Sequence, residues 1–344
     1  MTQAYFTLSK SVVLEQYKKV TGVADVVSYS SKTNPLVTPI LEAETESLFS
    51  VHLMNEFKHV KDTSRILFLA QGLSTEVLDE LFSKGIKRFV IDNEPDLDML
   101  LSYLENTEEK IELFLRMKLR ENTIRTERYF VFGISQDIVN QRIRELWGHK
   151  NISSLGIHFH RKTQNMAEWN YEYEIKQVID EDVMEIIDSL NIGGGLPSVY
   201  ANTNTKVVDS IFETLGKLKT FLNEKEIKLI IEPGRFIAAP AGKLHTTITS
   251  MYENNIIINA SVYNTDMDAL IVPVKLLIEG ELEKGDATPF VVKGKTPCSM
   301  DLFRYRVYLD NPQVGDKLVF LNAGAYNFTT NFCDLKELET KVIE

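Results

Sequence analysis

Between about residue 26 and residue 235 the chain alternates short β-type runs with longer amphipathic stretches, and this alternation limits the fold more than any other feature. The β-type runs are Val26–Ser31, Leu48–Val51, Arg65–Ala70, Arg88–Asp92, Ile111–Met117, Leu155–His160, Leu190–Gly193 and Lys228–Glu232. Between them, Ser74–Lys84, Pro95–Glu105, Gln136–Trp147, Glu181–Ser189 and Val207–Leu222 carry apolar residues at helical spacing. A parallel neighbour needs a crossover long enough to bring the chain back to the same end, so strands alternating with helices predict βαβ units. Eight runs predict a closed, TIM-like (β/α)8 barrel. The second run has the weakest pattern of the eight.

After Arg235 the pattern changes to strand-like runs separated by turns: Thr246–Met251, Asn255–Tyr263, Leu270–Glu279, Pro289–Val292, Phe303–Tyr308 and Lys317–Leu321. Gly280, Gly285, Asn311-Pro312 and Gly315 mark the turns. The fold class expected is therefore α/β plus all-β: a barrel over 26–240, and a β-sandwich or barrel domain made from 1–25 and 241–344. A net charge of −11 argues against nucleic acid as a partner. No run of about 18 apolar residues predicts a membrane span, and Met1–Lys10 lacks an apolar signal core. The two cysteines, Cys298 and Cys333, make neither a disulfide framework nor a metal-type spacing, so a cytoplasmic protein is expected.

Chemistry in such a barrel sits at the C-terminal ends of the strands. Lys32 ends the first run, Arg116 the fifth, and His158 and His160 the sixth. Gly193, Gly194 and Gly195 follow the seventh, and Glu232-Pro-Gly234-Arg235 ends the eighth. A lysine there is either solvated and idle or the amine that forms a Schiff base with an aldehyde cofactor. The glycine run is either a tight turn or a bare-backbone approach to phosphate, at the loops where this fold usually binds one. Glu232 pairs with Arg235 at the surface or faces a cofactor nitrogen, and His160 is simply hydrogen-bonded or stacks on a flat ring. His158, two residues earlier, receives no role. With cysteine absent from the first 297 residues, no metal site is expected.

These residues, in this order, resemble the alanine-racemase-fold decarboxylases, the family of eukaryotic-type ornithine, biosynthetic arginine and diaminopimelate decarboxylases. Tyr29-Ser-Ser-Lys32-Thr-Asn34 is similar to the segment whose lysine holds pyridoxal 5'-phosphate. Gly156-Ile-His-Phe-His160 resembles the segment whose last histidine stacks on the ring, with Thr163 at a phosphate-binding position. Ile192–Pro197 resembles the phosphate loop, and Ile231–Arg235 the segment that puts glutamate on the pyridine nitrogen and arginine near the phosphate. Pro297-Cys298 and Gly324-Ala-Tyr326 resemble the C-terminal motifs. The resemblance implies a homodimer with shared active sites, Cys298 as the proton donor to Cα in the partner's site, and Tyr326 on the phosphate. Without it, a cysteine in a β domain reads as a small buried apolar residue, as Cys333 does. Asp268 matches a substrate-binding aspartate and Phe332 an aromatic that closes the site. Ser299 stands where the basic-amino-acid decarboxylases carry an acid, and Asp301 is the nearest one. His158 and Arg161-Lys162 depart from the family pattern, as does Ser50, which stands in place of an aspartate.

The resemblance implies decarboxylation of a basic L-amino acid to its diamine, as in polyamine biosynthesis. Ornithine or lysine comes first, because Asp268 and Asp301 offer a distal ammonium two carboxylates. Diaminopimelate, arginine and carboxynorspermidine are the alternatives, followed by a racemase or an inactive regulatory homologue. A glutamate on the ring nitrogen favours decarboxylation over racemisation.

Overall fold

The computed structural model describes residues 3–118, 131–167, 169–204 and 206–344, with Lys206 by its backbone alone. The chain divides into two compact units. One holds Tyr17–Leu196 and Lys206–Gly234, the other Met1–Gln16, Pro197–Thr205 and Arg235–Glu344.

The first strand, β1 (Tyr5–Ser9), belongs to the second unit. The next eight build the first unit: β2 (Val26–Ser30), β3 (Leu48–Val51), β4 (Ile66–Ala70), β5 (Arg88–Ile91), β6 (Ile111–Arg116), β7 (Ile152–His158), β8 (Ser189–Asn191) and β9 (Lys228–Ile231). Each pairs in parallel with the next, and β9 pairs with β2 to close the barrel. The strands are buried along nearly their whole length, as expected when helices cover one face and barrel side chains fill the other. Leu67, Val90, Phe114 and Ile230 form a buried cluster, joined by Val26 and Leu69. Gly156 admits the Phe114 ring, whose Cε1 would lie 2.7 Å from any Cβ there. The helix Glu94–Leu104 starts where Asn93 Oδ1 accepts from Asp96 N at 2.9 Å, with Pro95 in its first turn. The expected helix Glu181–Ser189 is shorter, Glu181–Met184, because Ser189 already belongs to β8.

The second unit is an eight-stranded, mostly antiparallel sheet. Its remaining strands are β10 (Gly242–Tyr252), β11 (Asn255–Ile258), β12 (Leu277–Ile278), β13 (Thr288–Lys293), β14 (Leu302–Leu309), β15 (Lys317–Leu321) and β16 (Thr340–Ile343). They run β12-β15-β10-β11-β13-β14, with β1 on β10 and β16 on β1. The expected strand Leu270–Glu279 is instead a helical turn, Asp268–Ile271, followed by the short β12. The run Asn255–Tyr263 stops at Ile258, since Ser261 Oγ accepts from Tyr263 N and starts a turn.

The unit boundaries differ from the expected 26–240 and 1–25 with 241–344. Tyr17–Asp25 goes with the barrel. Pro197–Thr205 joins the sheet unit, where Ala201 N donates to Lys275 O at 2.8 Å and Asn322 Nδ2 to Val199 O at 2.6 Å. Arg235–Ala241 joins it too. There Gly324 N donates to Ala239 O at 3.2 Å, and Gly242 and Gly324 approach so closely that neither has room for a Cβ. No described helix is long and apolar enough to cross a membrane.

Candidate active site

Lys32 stands one residue beyond β2, in the 3-10 turn Ser31–Thr33. Buried neighbours hold that turn. Tyr29 Oη donates to Asn34 O at 3.0 Å, and the Ser31 and Thr38 hydroxyls lie 3.0 Å apart. Solvent reaches the Lys32 side chain although protein atoms surround it, the situation of a group lining a well. Burial holds the amine below the ordinary lysine value. Glu232 and Glu56 oppose that shift, and Arg116 assists it. An amine so placed is a better nucleophile at neutral pH than a surface lysine.

Glu232 follows β9 and is 4% exposed. Asn191 Nδ2 donates to its Oε1 at 2.7 Å, and His158 Nε2 lies 3.5 Å from the same oxygen. Barrel register supplies these partners: His158 is opposite both Arg116 and Asn191. Burial alone raises a carboxyl. Here His158, His160 and the Asn191 amide outweigh burial and bring Glu232 down to about 2. The carboxylate is therefore ionised, with both named partners on one oxygen. His160 lies past the end of β7. Solvent reaches its ring, yet the protein crowded around it, then the charges of Arg116 and Lys32, hold it well below the usual histidine value, so the ring is neutral.

The glycine run threads between these groups. Gly194 N donates to His160 Nδ1 at 3.2 Å, Gly193 N to Asn191 Oδ1 at 2.8 Å, and Glu232 N to Gly193 O at 2.7 Å. Gly193 and Gly195 have φ of 64° and 103°, a region that favours glycine. A Cβ on Gly193 would lie 2.8 Å from His160 Nδ1, on Gly194 2.8 Å from Glu232 O, and on Gly195 2.9 Å from Lys162 O. All three positions are closed to side chains. Gly234 is closed too, by Thr33. Arg116 reaches the same end of the barrel, where its Nη1 sits 2.7 Å from Asp92 Oδ1. Thr163 lies in the loop after β7 and is partly buried.

The sheet unit carries two further clusters. In one, Arg235 is 3% exposed and holds Asp268 with two guanidinium nitrogens, Nη2 to Oδ1 at 3.0 Å, while Nη1 donates to Tyr200 Oη at 2.9 Å. The guanidinium carbon lies 5.0 Å from the Tyr326 ring centre. Beside them burial, then the charge of Asp268, raises Asp266 well above the usual carboxylate range. In the other, Cys298 Sγ lies 3.2 Å from Tyr263 Oη, and the Tyr263 ring stacks on Phe332 at 3.9 Å between centres and 22° between planes. The Tyr263 hydroxyl holds the Cys298 thiol below its ordinary value, and the same contact raises Tyr263 to about 12. Cys298 and Phe332 thus come together around a tyrosine with no motif signal of its own.

Two expected substrate carboxylates are engaged elsewhere. Asp268 is neutralised by Arg235. Asp301 is 2% exposed and accepts from Val262 N at 2.9 Å, Thr296 N at 3.1 Å and Thr296 Oγ1 at 2.6 Å, so it ties the loop that carries Cys298. Both acids already have partners inside their own unit, which compete with the distal-ammonium role expected of them. Ser299 is exposed. The side chains not anticipated are His52, Glu56, Asp92, Asn191, Tyr200 and Tyr263. Asn191 directly precedes the glycine run, and His52 directly follows β3, so strand-end position was their one available signal. Among the described residues no cluster of histidine, cysteine or carboxylates is suited to a metal ion.

An amine, an ionised buried carboxylate, a neutral imidazole and a glycine run with no room for side chains, all at the C-terminal end of one parallel barrel, fit a barrel enzyme built around a phosphorylated aldehyde cofactor. Residues 15–239 match the family described as pyridoxal-dependent decarboxylase, pyridoxal binding domain. The chain belongs to that family and is a pyridoxal-phosphate-dependent amino-acid decarboxylase. It is 26% identical over 298 residues to a diaminopimelate decarboxylase of Vibrio cholerae, covering 78% of this chain and 67% of that protein. It is 22% identical over an alignment of 373 residues to a probable ornithine decarboxylase of Dictyostelium discoideum, covering 95% and 76%. Its fold is similar to a Vibrio vulnificus lysine/ornithine decarboxylase crystallised with cadaverine, with a TM-score of 0.81, 21% identity and coverage of 99% and 94%.

Proposed function

We propose that Lys32 carries the cofactor and that the chain removes the α-carboxylate of a basic L-amino acid, ornithine or lysine first, to leave the corresponding diamine. One observation carries this reading: the nucleophilic amine of Lys32 and the ionised carboxylate of Glu232 face one glycine-lined barrel end. Pyridoxal phosphate, when bound, supplies an electron sink for the charge left at Cα. In this assignment Glu232 keeps the cofactor's ring nitrogen protonated and His160 lies against its ring. Gly193–Gly195 and Gly234 are assigned to the phosphate, with Gly193 N and Gly194 N donating to Asn191 and His160 and so shaping the loop. Arg116, Thr163, Arg235 and Tyr326 are assigned to the same cofactor, and Ser299 and Phe332 to the substrate. Cys298, with its lowered thiol, returns a proton to Cα. The reading includes a homodimer in which Cys298 serves the partner's site. With Cys298 and Cys333 both free thiols, it also includes a reducing, cytoplasmic setting and a place in polyamine formation.

Diaminopimelate is the second reading. The 26% identity to the Vibrio cholerae diaminopimelate decarboxylase supports it, and its distal end, which carries a carboxylate beside the ammonium, calls for a basic group. Carbon dioxide release, measured with added pyridoxal phosphate over ornithine, lysine, arginine, carboxynorspermidine and diaminopimelate, decides between them. Release from ornithine or lysine supports the first reading and release from diaminopimelate the second. Release from none of them contradicts both.

A further inference from the structure

Beside the lysine stands a residue that neither the barrel pattern nor the family motifs predict. His52 follows β3, and its Nε2 lies 3.0 Å from Lys32 Nζ. The backbone fixes the ring's approach: His52 N and Leu53 N both donate to Glu56 Oε1, at 2.9 and 3.0 Å. The other ring nitrogen, Nδ1, is buried and has no partner among the described residues.

We propose that His52 is a positioning residue for Lys32, holding its amine at the barrel mouth in the form that bonds to an aldehyde carbon. The inference rests on the assignment of Lys32 as the cofactor-bearing amine. A neutral imidazole has one N–H and one lone pair. Leaving a buried N–H without a partner is the rarer arrangement, so the bare lone pair falls on Nδ1 and the proton on Nε2. An Nε2–H donates to a lone pair. A free amine has one and an ammonium has none. The contact therefore selects the uncharged amine and fixes its direction. Burial, then the Lys32 charge, brings His52 down to about 3, so the ring stays neutral at any working pH. The charged and titratable groups facing the amine are Glu56 from the turn after His52, Arg116 from β6, His158 and His160 from β7 and its following loop, and Glu232 after β9. Burial favours the uncharged amine, while Glu232 and Glu56 each oppose it more than Arg116 assists it, so the directional contact from His52 acts with burial against the two carboxylates.

The Lys32 nitrogen lone pair attacks the aldehyde carbon of pyridoxal phosphate and a C–N bond forms. The nitrogen gives up both its protons, the carbonyl oxygen leaves as water, and no electrons change hands.

The test uses the full chain stripped of cofactor. Pyridoxal 5'-phosphate is added across a pH series, and covalent attachment is trapped by borohydride and read as mass on the Lys32 peptide. His52→Ala should attach the cofactor roughly fivefold to tenfold more slowly at neutral pH, the scale of one lost hydrogen bond. Its attachment midpoint should move to higher pH, and an unchanged thermal midpoint would show that it is folded. His52→Gln, which keeps a side-chain N–H, should recover part of both effects. A purely structural role would slow attachment without moving the pH midpoint. Equal rates and midpoints in wild type and both variants would overturn the inference, as would a midpoint moved to lower pH. A wild-type chain that takes no label on Lys32 would instead overturn the assignment of Lys32 itself.

Discussion

The barrel mouth and the sheet unit both gather buried polar residues, but they leave them in opposite states. In the barrel, polar atoms stay partly unpaired: His52 Nδ1, His158 Nδ1, Thr33 Oγ1 and Glu56 Oε2 have no hydrogen-bond partner among the described residues. In the sheet unit the charged side chains answer one another. Asp268 closes on Arg235, Asp301 is filled by Val262 and Thr296, and Arg304 Nη2 meets Glu281 Oε1 at 2.7 Å. Unpaired buried groups cost stability and persist where they serve a ligand or a reaction, whereas saturated ones fix loops in place. The first region is built for chemistry. The second ties its loops down, among them the one that carries Cys298.

That contrast breaks most clearly under mutation. Lys32→Ala should lower carbon dioxide release by roughly 10³-fold or more, since it removes a covalent and proton-handling group at once. A variant retaining most of its turnover would remove the barrel mouth from the chemistry. Glu232→Gln should cost about 10²- to 10³-fold in kcat while leaving the cofactor bound, the scale of losing one preorganised electrostatic contact. A loss confined to cofactor retention would make Glu232 a structural acid. Gly194→Ala places a Cβ 2.8 Å from Glu232 O, and about 1–3 kcal/mol of crowding should weaken pyridoxal phosphate retention about tenfold or more.

In the sheet unit the largest effects should fall on stability. Asp301→Ala strands three donors and should cost about 1–3 kcal/mol in a denaturant titration, with the choice among substrates unchanged. A changed substrate preference would return Asp301 to the substrate. Asp266 gives the smallest and most specific effect. Its folded value is raised above its unfolded one, so its native proton stabilises the fold at low pH, and that contribution fades as pH climbs through the folded value. Asn mimics the protonated carboxyl at every pH. Asp266→Asn should therefore raise the thermal midpoint at pH 8 and leave it nearly unchanged at pH 4.

Much of the barrel could be read before its coordinates, because a parallel strand buried on both faces writes its burial into consecutive residues. Ile66–Ala70 and Lys228–Ile231 declare themselves that way, and even the weak Leu48–Val51 closes the ring. The motif residues Lys32, His160, Gly193–Gly195 and Glu232 share the barrel end because strand register places successive strand tips side by side. Register also set what could not be read. His158 meets Glu232 because β7 and β9 flank β8, a relation no local pattern encodes. The partners of Asp268 and Asp301 were hidden for a related reason. A carboxylate in a motif looks the same whether it faces substrate or an arginine, and only the fold shows that Asp268 sits within reach of Arg235. Tyr263 was invisible because its partners Cys298 and Phe332 are distant in sequence.

The most direct test is the site of cofactor attachment in the full wild-type chain. After incubation with pyridoxal 5'-phosphate and borohydride reduction, proteolysis and mass spectrometry should find the added mass on the peptide containing Lys32 and on no other lysine. Label on a different lysine, or none at all from protein shown to be folded, would contradict it.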